Sequence, residues 1–162
     1  MIFVTVGTQK FQFNRLIHSI DKNINIGKIS DTVFAQIGNS SYIPQNFSFQ
    51  RFLSAEEYNE KMSQCDIVVS HSGVATIVKG IQLGKKVIVV PRLKEYGEHV
   101  DDHQRQIAEA FAKQNYIVQC LDVEELPNII RNVKLHEFAA YQSQRTKVIN
   151  IIENFLKTSN GP

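Results

Sequence analysis

Apolar residues fall along the chain in short blocks separated by polar stretches. Ile2 to Val6 is a β-branched and aromatic run that stops at Gly7-Thr8, the pattern of a buried strand entering a turn. Leu16, Ile17 and Ile20 then recur at helical spacing, with Asn14 placed to cap that helix. Thr32 to Gln36 reads as a second strand, closed by Gly38-Asn39-Ser40-Ser41. From Phe47 to Phe52 the alternation of Phe47, Phe49 and Arg51 against Ser48 and Gln50 reads as a third. Ser54 with Glu57 three residues on is a capping box, and Tyr58, Met62 and Cys65 form one stripe behind it.

The next stretch carries the clearest unit. Ile67 to Ser70 predicts a strand, His71-Ser72-Gly73 a turn, Val74 to Leu83 a helix stopped at Gly84, and Lys86 to Val90 a strand ending at Pro91. This is a βαβ unit. A polar loop, Arg92 to Val100, leads to a helix beginning near Asp101 with Ile107, Ala108 and Phe111 inward. Ile117 to Cys120 predicts a strand, Val123 to Asn132 a short helix, and Leu135 to Leu156 a long one. Strands alternating with helices imply an α/β fold, a mostly parallel Rossmann-like sheet with helices on both faces. The length of 162 residues fits one such domain, with residues 133–162 as its C-terminal helical extension.

In open α/β sheets ligands bind beyond the carboxyl ends of the strands, so the residues just after each strand are the informative ones. They are Gly7-Thr8, Ser70-His71-Ser72-Gly73, and Pro91-Arg92 with the loop to His99. The second group opens a helix, whose free N–H groups and dipole favour phosphate oxygens. Gly73 lets a ligand approach the backbone, and Ser72 and Thr76 add hydroxyls. Arg92 follows the strand end, in reach of a diphosphate. His99 and His103 lie four apart and invite comparison with a metal site completed by Asp102 or Glu98. No recognised spacing fixes that third ligand, so no metal ion is expected. The donors and acceptors of Asp102, His103 and Gln104 suit recognition of sugar hydroxyls instead.

Charge narrows the classes. Eighteen basic against sixteen acidic residues, without a block of one sign, give no footprint for nucleic acid. Cys65 and Cys120 stand far apart in apolar surroundings and read as buried free thiols of a reducing, cytoplasmic compartment. No apolar run approaches the roughly 20 residues of a membrane span. No G-x-G-x-x-G follows the first strand, which counts against a dinucleotide oxidoreductase.

Four motifs in order carry a resemblance. They are Val4-Thr5-Val6-Gly7-Thr8, Ser70-His71-Ser72-Gly73-Val74-Ala75-Thr76-Ile77, Gly84-Lys85-Lys86-Val87-Ile88-Val89-Val90-Pro91, and Gly97-Glu98-His99-Val100-Asp101-Asp102-His103-Gln104. This series resembles family 28 glycosyltransferase C-terminal domains, in particular the small subunits of split bacterial capsule and exopolysaccharide glycosyltransferases. It is also similar to the catalytic subunit of the eukaryotic dolichol-linked N-acetylglucosamine transferase. The resemblance implies the C-terminal half of a GT-B fold that takes a UDP-sugar without a metal ion or other cofactor. By the family pattern Gly7, Thr8, Ser72 and Gly73 face the diphosphate, Phe52 and Leu53 border the uracil, and His103 and Gln104 touch the donor sugar. Lys79 stands where many relatives place a Glu for the ribose hydroxyls.

An inverting transfer to a lipid-linked saccharide is implied, with a membrane-anchored, acceptor-binding partner subunit. The chain would then sit peripherally at the inner face of the membrane. His71 and His99 are the candidates for the base that takes the acceptor proton, unless the partner supplies it. A nucleotide-binding regulatory or interaction module without catalysis is the rival reading.

Overall fold

The computed structural model describes residues 1–140. Six strands form one wholly parallel sheet: β1 (Ile2–Thr5), β2 (Val33–Gln36), β3 (Ser48–Gln50), β4 (Ile67–Ser70), β5 (Lys86–Val89) and β6 (Val118–Gln119), in the spatial order β3-β2-β1-β4-β5-β6. Four α-helices connect them, α1 (Asn14–Asn25), α2 (Ala55–Gln64), α3 (Val74–Gln82) and α4 (His103–Lys113), and α5 (Leu126–Val133) follows β6. The expected α/β architecture with helices on both faces is borne out, and the sheet is more uniformly parallel than expected.

Alternation of side chains along the strands divides the core. Ile2, Val4, Ile67, Val69 and Ile88 point to one face, where Leu16, Ile17 and Ile20 of α1 and Leu126, Ile130 and Val133 of α5 cover them. Phe3, Val68, Val87 and Val89 point to the other, against Met62, Ile77, Ile81, Ala108 and Phe111 of α2, α3 and α4. Both cysteines are buried free thiols. Burial pushes the Cys120 thiol up to about 12.

The local signals near α2 and α3 hold. Ser54 Oγ accepts the Glu57 N–H while Glu57 accepts the Ser54 N–H, the full capping box. Gly84, at φ +66°, ends α3 in the left-handed conformation that glycine adopts without strain. Three expectations are corrected. Asn14 is the first residue of α1 rather than its cap, and its Oδ1 accepts the N–H groups of Ser41 and Tyr42, tying the loop after β2 to the helix. Arg51 does not point inward; it lies past the end of β3, exposed, with Nη1 donating to the carbonyls of Gly38 and Ser40. No helix begins at Leu135: residues 135–140 are turn and coil, held by Ala139 N–H to Asn115 O and by Lys86 Nζ to His136 O. The remainder of the long helix read from Leu135 to Leu156, and of the extension 133–162, lies outside the described residues.

Candidate functional site

The strand register builds a polar edge. Gln50, Gln36, Thr5, Ser70, Val89 and Gln119 align across the six strands as one row near their carboxyl ends. Gln36 braces this row: Nε2 donates to Gly7 O at 3.3 Å and Oε1 accepts from Leu53 N at 3.2 Å. Ser70 Oγ donates to Thr5 O at 3.1 Å. Beyond the row lie the loops that the sequence singled out, brought to one crevice by the parallel topology.

At its centre is the turn from β4 into α3. Gly73, the N-cap of α3, provides no side-chain cap, so the first-turn N–H groups of that helix open onto the crevice. Ser72 is buried and its Oγ has no hydrogen-bond partner among the described residues. An orphaned buried hydroxyl costs about 1–3 kcal/mol, which a bound acceptor would recover. Uncapped helix and unspent hydroxyl together make a cradle for an anion.

His71 sets the width of the cradle. A Cβ on Gly7 would fall 2.7 Å from its Cε1, and one on Gly73 would fall 2.6 Å from its Nε2, so the ring edge lies between these two glycines. The glycines are therefore needed to house the imidazole, a role additional to the expected approach of a ligand. Burial, followed by the nearby Arg92 guanidinium, pushes the His71 pKa down from 6.5 to about 4. It is neutral at pH 7, and a weak base.

Arg92 corrects the sequence reading. It is fully buried, and its guanidinium donates to Val6 O at 2.6 Å, Phe11 O at 2.8 Å, Gln12 O at 3.2 Å and Glu98 O at 3.4 Å, over the ring of Phe13. It fastens the loop after β1 to the loop after β5 through its two terminal nitrogens, and its buried Nε has no hydrogen-bond partner among the described residues. Burial lowers its pKa to about 10, opposed by the charge of Glu98, so it remains a cation at neutral pH. Glu98 is also fully buried, paired through both oxygens with Arg15 at 3.0 and 2.9 Å and accepting the Leu93 N–H. Sequence reasoning missed this pair: 83 positions separate its members, and while Glu98 lies in the Gly97 to Gln104 motif, Arg15 lies in none.

Other predicted residues sort clearly. Gln104 is buried, with Oε1 accepting from Arg92 N at 3.1 Å and Ser72 N at 3.4 Å, so its oxygen braces the floor of the crevice. Thr76 shares a hydrogen bond with the Tyr58 hydroxyl at 3.0 Å. Its oxygen is engaged with α2. Asp102 Oδ1 accepts the Lys94 N–H and does not cap α4. Lys79 donates to Asn59 and lies over the Tyr58 ring, turned towards α2. Thr8 and Phe52 are exposed at the crevice rim, with Leu53 half-buried beside Phe52. His99 and His103 meet edge to face, ring centroids 4.6 Å apart, with Asp101 between their Nδ1 atoms.

A wholly parallel sheet whose polar loops gather at its carboxyl edge defines the class: an open α/β domain with helices on both faces. Residues 1–158 match the model of the glycosyltransferase family 28 C-terminal domain, and the chain belongs to that family. The human UDP-N-acetylglucosamine transferase subunit ALG13 is 27% identical over 128 residues, 74% of this chain and 11% of the human protein. Among solved structures, the glycotransferase of kitacinnamycin superposes with TM-score 0.59 at 14% identity, over 99% of this chain and 40% of that one. The solution structure of ALG13 superposes with TM-score 0.56 at 18% identity, covering 86% of this chain and 87% of its own. The chain thus spans only a part of the first two relatives. The expected GT-B half is borne out as a fold.

Proposed function

We propose that the chain is the donor-binding half of a UDP-sugar-dependent hexosyltransferase. The observation that carries this is the α3 start, where an uncapped helix N-terminus meets the partnerless Ser72 hydroxyl. Membership of family 28 and similarity to a protein described as a UDP-N-acetylglucosamine transferase subunit support a nucleotide-sugar as the ligand. As the sugar leaves, negative charge builds on the diphosphate. Fixed N–H groups and a hydroxyl at that point stabilise it without a metal ion bridging the phosphates.

The second half of the reaction lies with a partner. Within this chain His71, a neutral imidazole whose basicity burial lowers, and His99, beside Asp101, are the candidates for the base that takes the hydroxyl proton. We assign the acceptor site to a membrane-anchored subunit carrying a lipid-linked saccharide, with inversion at the anomeric carbon. In that arrangement the chain is cytoplasmic and peripheral to the membrane. None of the described helices is long and apolar enough to cross a bilayer.

Co-expression with a candidate membrane subunit, followed by a panel of UDP-sugars on a lipid-linked acceptor, tests the proposal. Transfer is expected from the pair and little from the chain alone. Nucleotide binding without transfer by the pair would favour the non-catalytic module, and rapid transfer by the isolated chain would overturn the division of labour.

A further inference from the structure

Beyond the carboxyl ends of β5 and β6 lies a second cleft, of about 380 Å³, whose lining includes none of the residues assigned to the donor. Leu93, Tyr96 and Leu121 give it apolar walls, and Glu95, Arg105 and Asp122 give it polar groups. We infer that this cleft is a carbohydrate subsite that takes neutral saccharide. β5 lies next to β4 in the sheet, so a sugar bound here is a neighbour of the α3 start.

The chemistry of the lining carries this. A pyranose has a face of C–H groups and a rim of hydroxyls that both donate and accept, so it is held by an aromatic platform with mixed polar groups around it. Tyr96 supplies the platform. The Arg15 guanidinium covers one side of its ring, 4.7 Å from the centroid, yet the residue stays 51% exposed. Its backbone carbonyl accepts from Gln12 Nε2 at 3.1 Å, which fixes the turn that carries it. Glu95 and Arg105 make no side-chain hydrogen bond or ion pair among the described residues. Asp122 gives Oδ1 to the Glu124 N–H at 2.9 Å, and its Oδ2 is unspent among those residues. Gln119 Nε2 donates to Arg105 O at 3.2 Å, tying the first turn of α4 to β6.

Two other occupants fit less well. Glu98 neutralises Arg15, so Arg105 stands alone against the carboxylates of Glu95 and Asp122, a balance that disfavours a phosphate. Those three charged groups also penalise an apolar helix face, which could not satisfy them. The volume falls among small-ligand clefts, about 300–1,000 Å³.

The use of such a site, steadying the acceptor saccharide that the partner presents, rests on the proposed function; the binding itself does not. The test is titration of the isotopically labelled chain with cellobiose, lactose and diacetylchitobiose, followed by amide chemical shifts, with UDP added to a separate sample. At least one disaccharide should give saturable shifts around Tyr96, Arg105 and Leu121, with a dissociation constant on the order of 1–10 mM for so open a cleft. Tyr96→Ala and Arg105→Gln should each weaken that binding about fivefold or more. Leu135→Ser, exposed after α5, should leave it unchanged. Retained dispersion of the amide spectrum confirms that each variant is folded. No shifts at about 50 mM of any of the three, or binding indifferent to both Tyr96→Ala and Arg105→Gln, overturns the inference. Disaccharide binding by a chain that ignores UDP would support the cleft and overturn the donor reading.

Discussion

Two turns at the same end of the sheet treat their polar groups in opposite ways. After β5, Arg92 spends both terminal nitrogens of its guanidinium on four backbone carbonyls, with Nε alone unpartnered, and Glu98 spends both oxygens on Arg15. After β4, Ser72 keeps a buried hydroxyl without a partner and Gly73 leaves α3 uncapped. The strongest charges near the crevice are therefore structural, and its weakest polar groups are the ones available to a ligand. Removing one side of a buried, satisfied charge leaves the other side stranded, whereas removing an unspent hydroxyl costs the fold almost nothing.

The sharpest way to break the comparison is Arg92→Met. It leaves up to four backbone carbonyls unpaired, Glu98 keeping Arg15, and the expected loss is about 3 kcal/mol or more in urea unfolding. A stable Arg92→Met chain with weakened nucleotide binding would instead put Arg92 at the ligand.

Next in size is the pH response of His71. Its folded pKa of about 4 lies below the ordinary 6.5, so the unfolded chain binds the extra proton first. Stability is full above pH 6.5 and falls as pH drops towards 4. The whole shift is worth about 3 kcal/mol. In His71→Gln this segment of the stability profile should flatten.

Gly73→Ala sharpens the view that the turn is shaped around an imidazole. A Cβ there meets His71 Nε2 at 2.6 Å, and the strain should cost about 1–3 kcal/mol. His71→Ala in the same chain should recover most of it, a coupling that a double-mutant cycle measures.

Last is Ser72→Ala, the one change that costs the fold nothing. Loss of the unpaired hydroxyl should leave unfolding unshifted or raise stability by up to about 1–3 kcal/mol, while UDP affinity falls about tenfold through loss of a hydrogen bond to a charged ligand.

The same contrast explains what the sequence disclosed. Elements set by neighbours in the chain were legible: the Ser54–Glu57 capping box, the βαβ unit from Ile67 to Val89, and the Gly84 stop. So was the gathering of Gly7, Ser72, Gly73 and His99 near one edge, because it follows from parallel topology. Roles set by distant partners were not legible. Arg92 follows a strand just as a phosphate ligand would, and only the fold shows the carbonyls of Val6, Phe11 and Gln12 around it. Asn14 has the side chain of a helix cap, yet it holds a loop that arrives from 27 residues away. Gly7 and Gly73 were visible as glycines, but the ring that requires them belongs to His71.

The central claim is that the α3 start is the diphosphate cradle of a nucleotide-sugar site. Calorimetric titration of the chain with UDP tests it most directly, run beside Ser72→Ala and with uridine as a ligand lacking the phosphates. The account predicts saturable UDP binding, weakened about tenfold in Ser72→Ala, and far weaker binding of uridine. UDP bound equally well by the wild-type and Ser72→Ala chains, or no better than uridine, would contradict it.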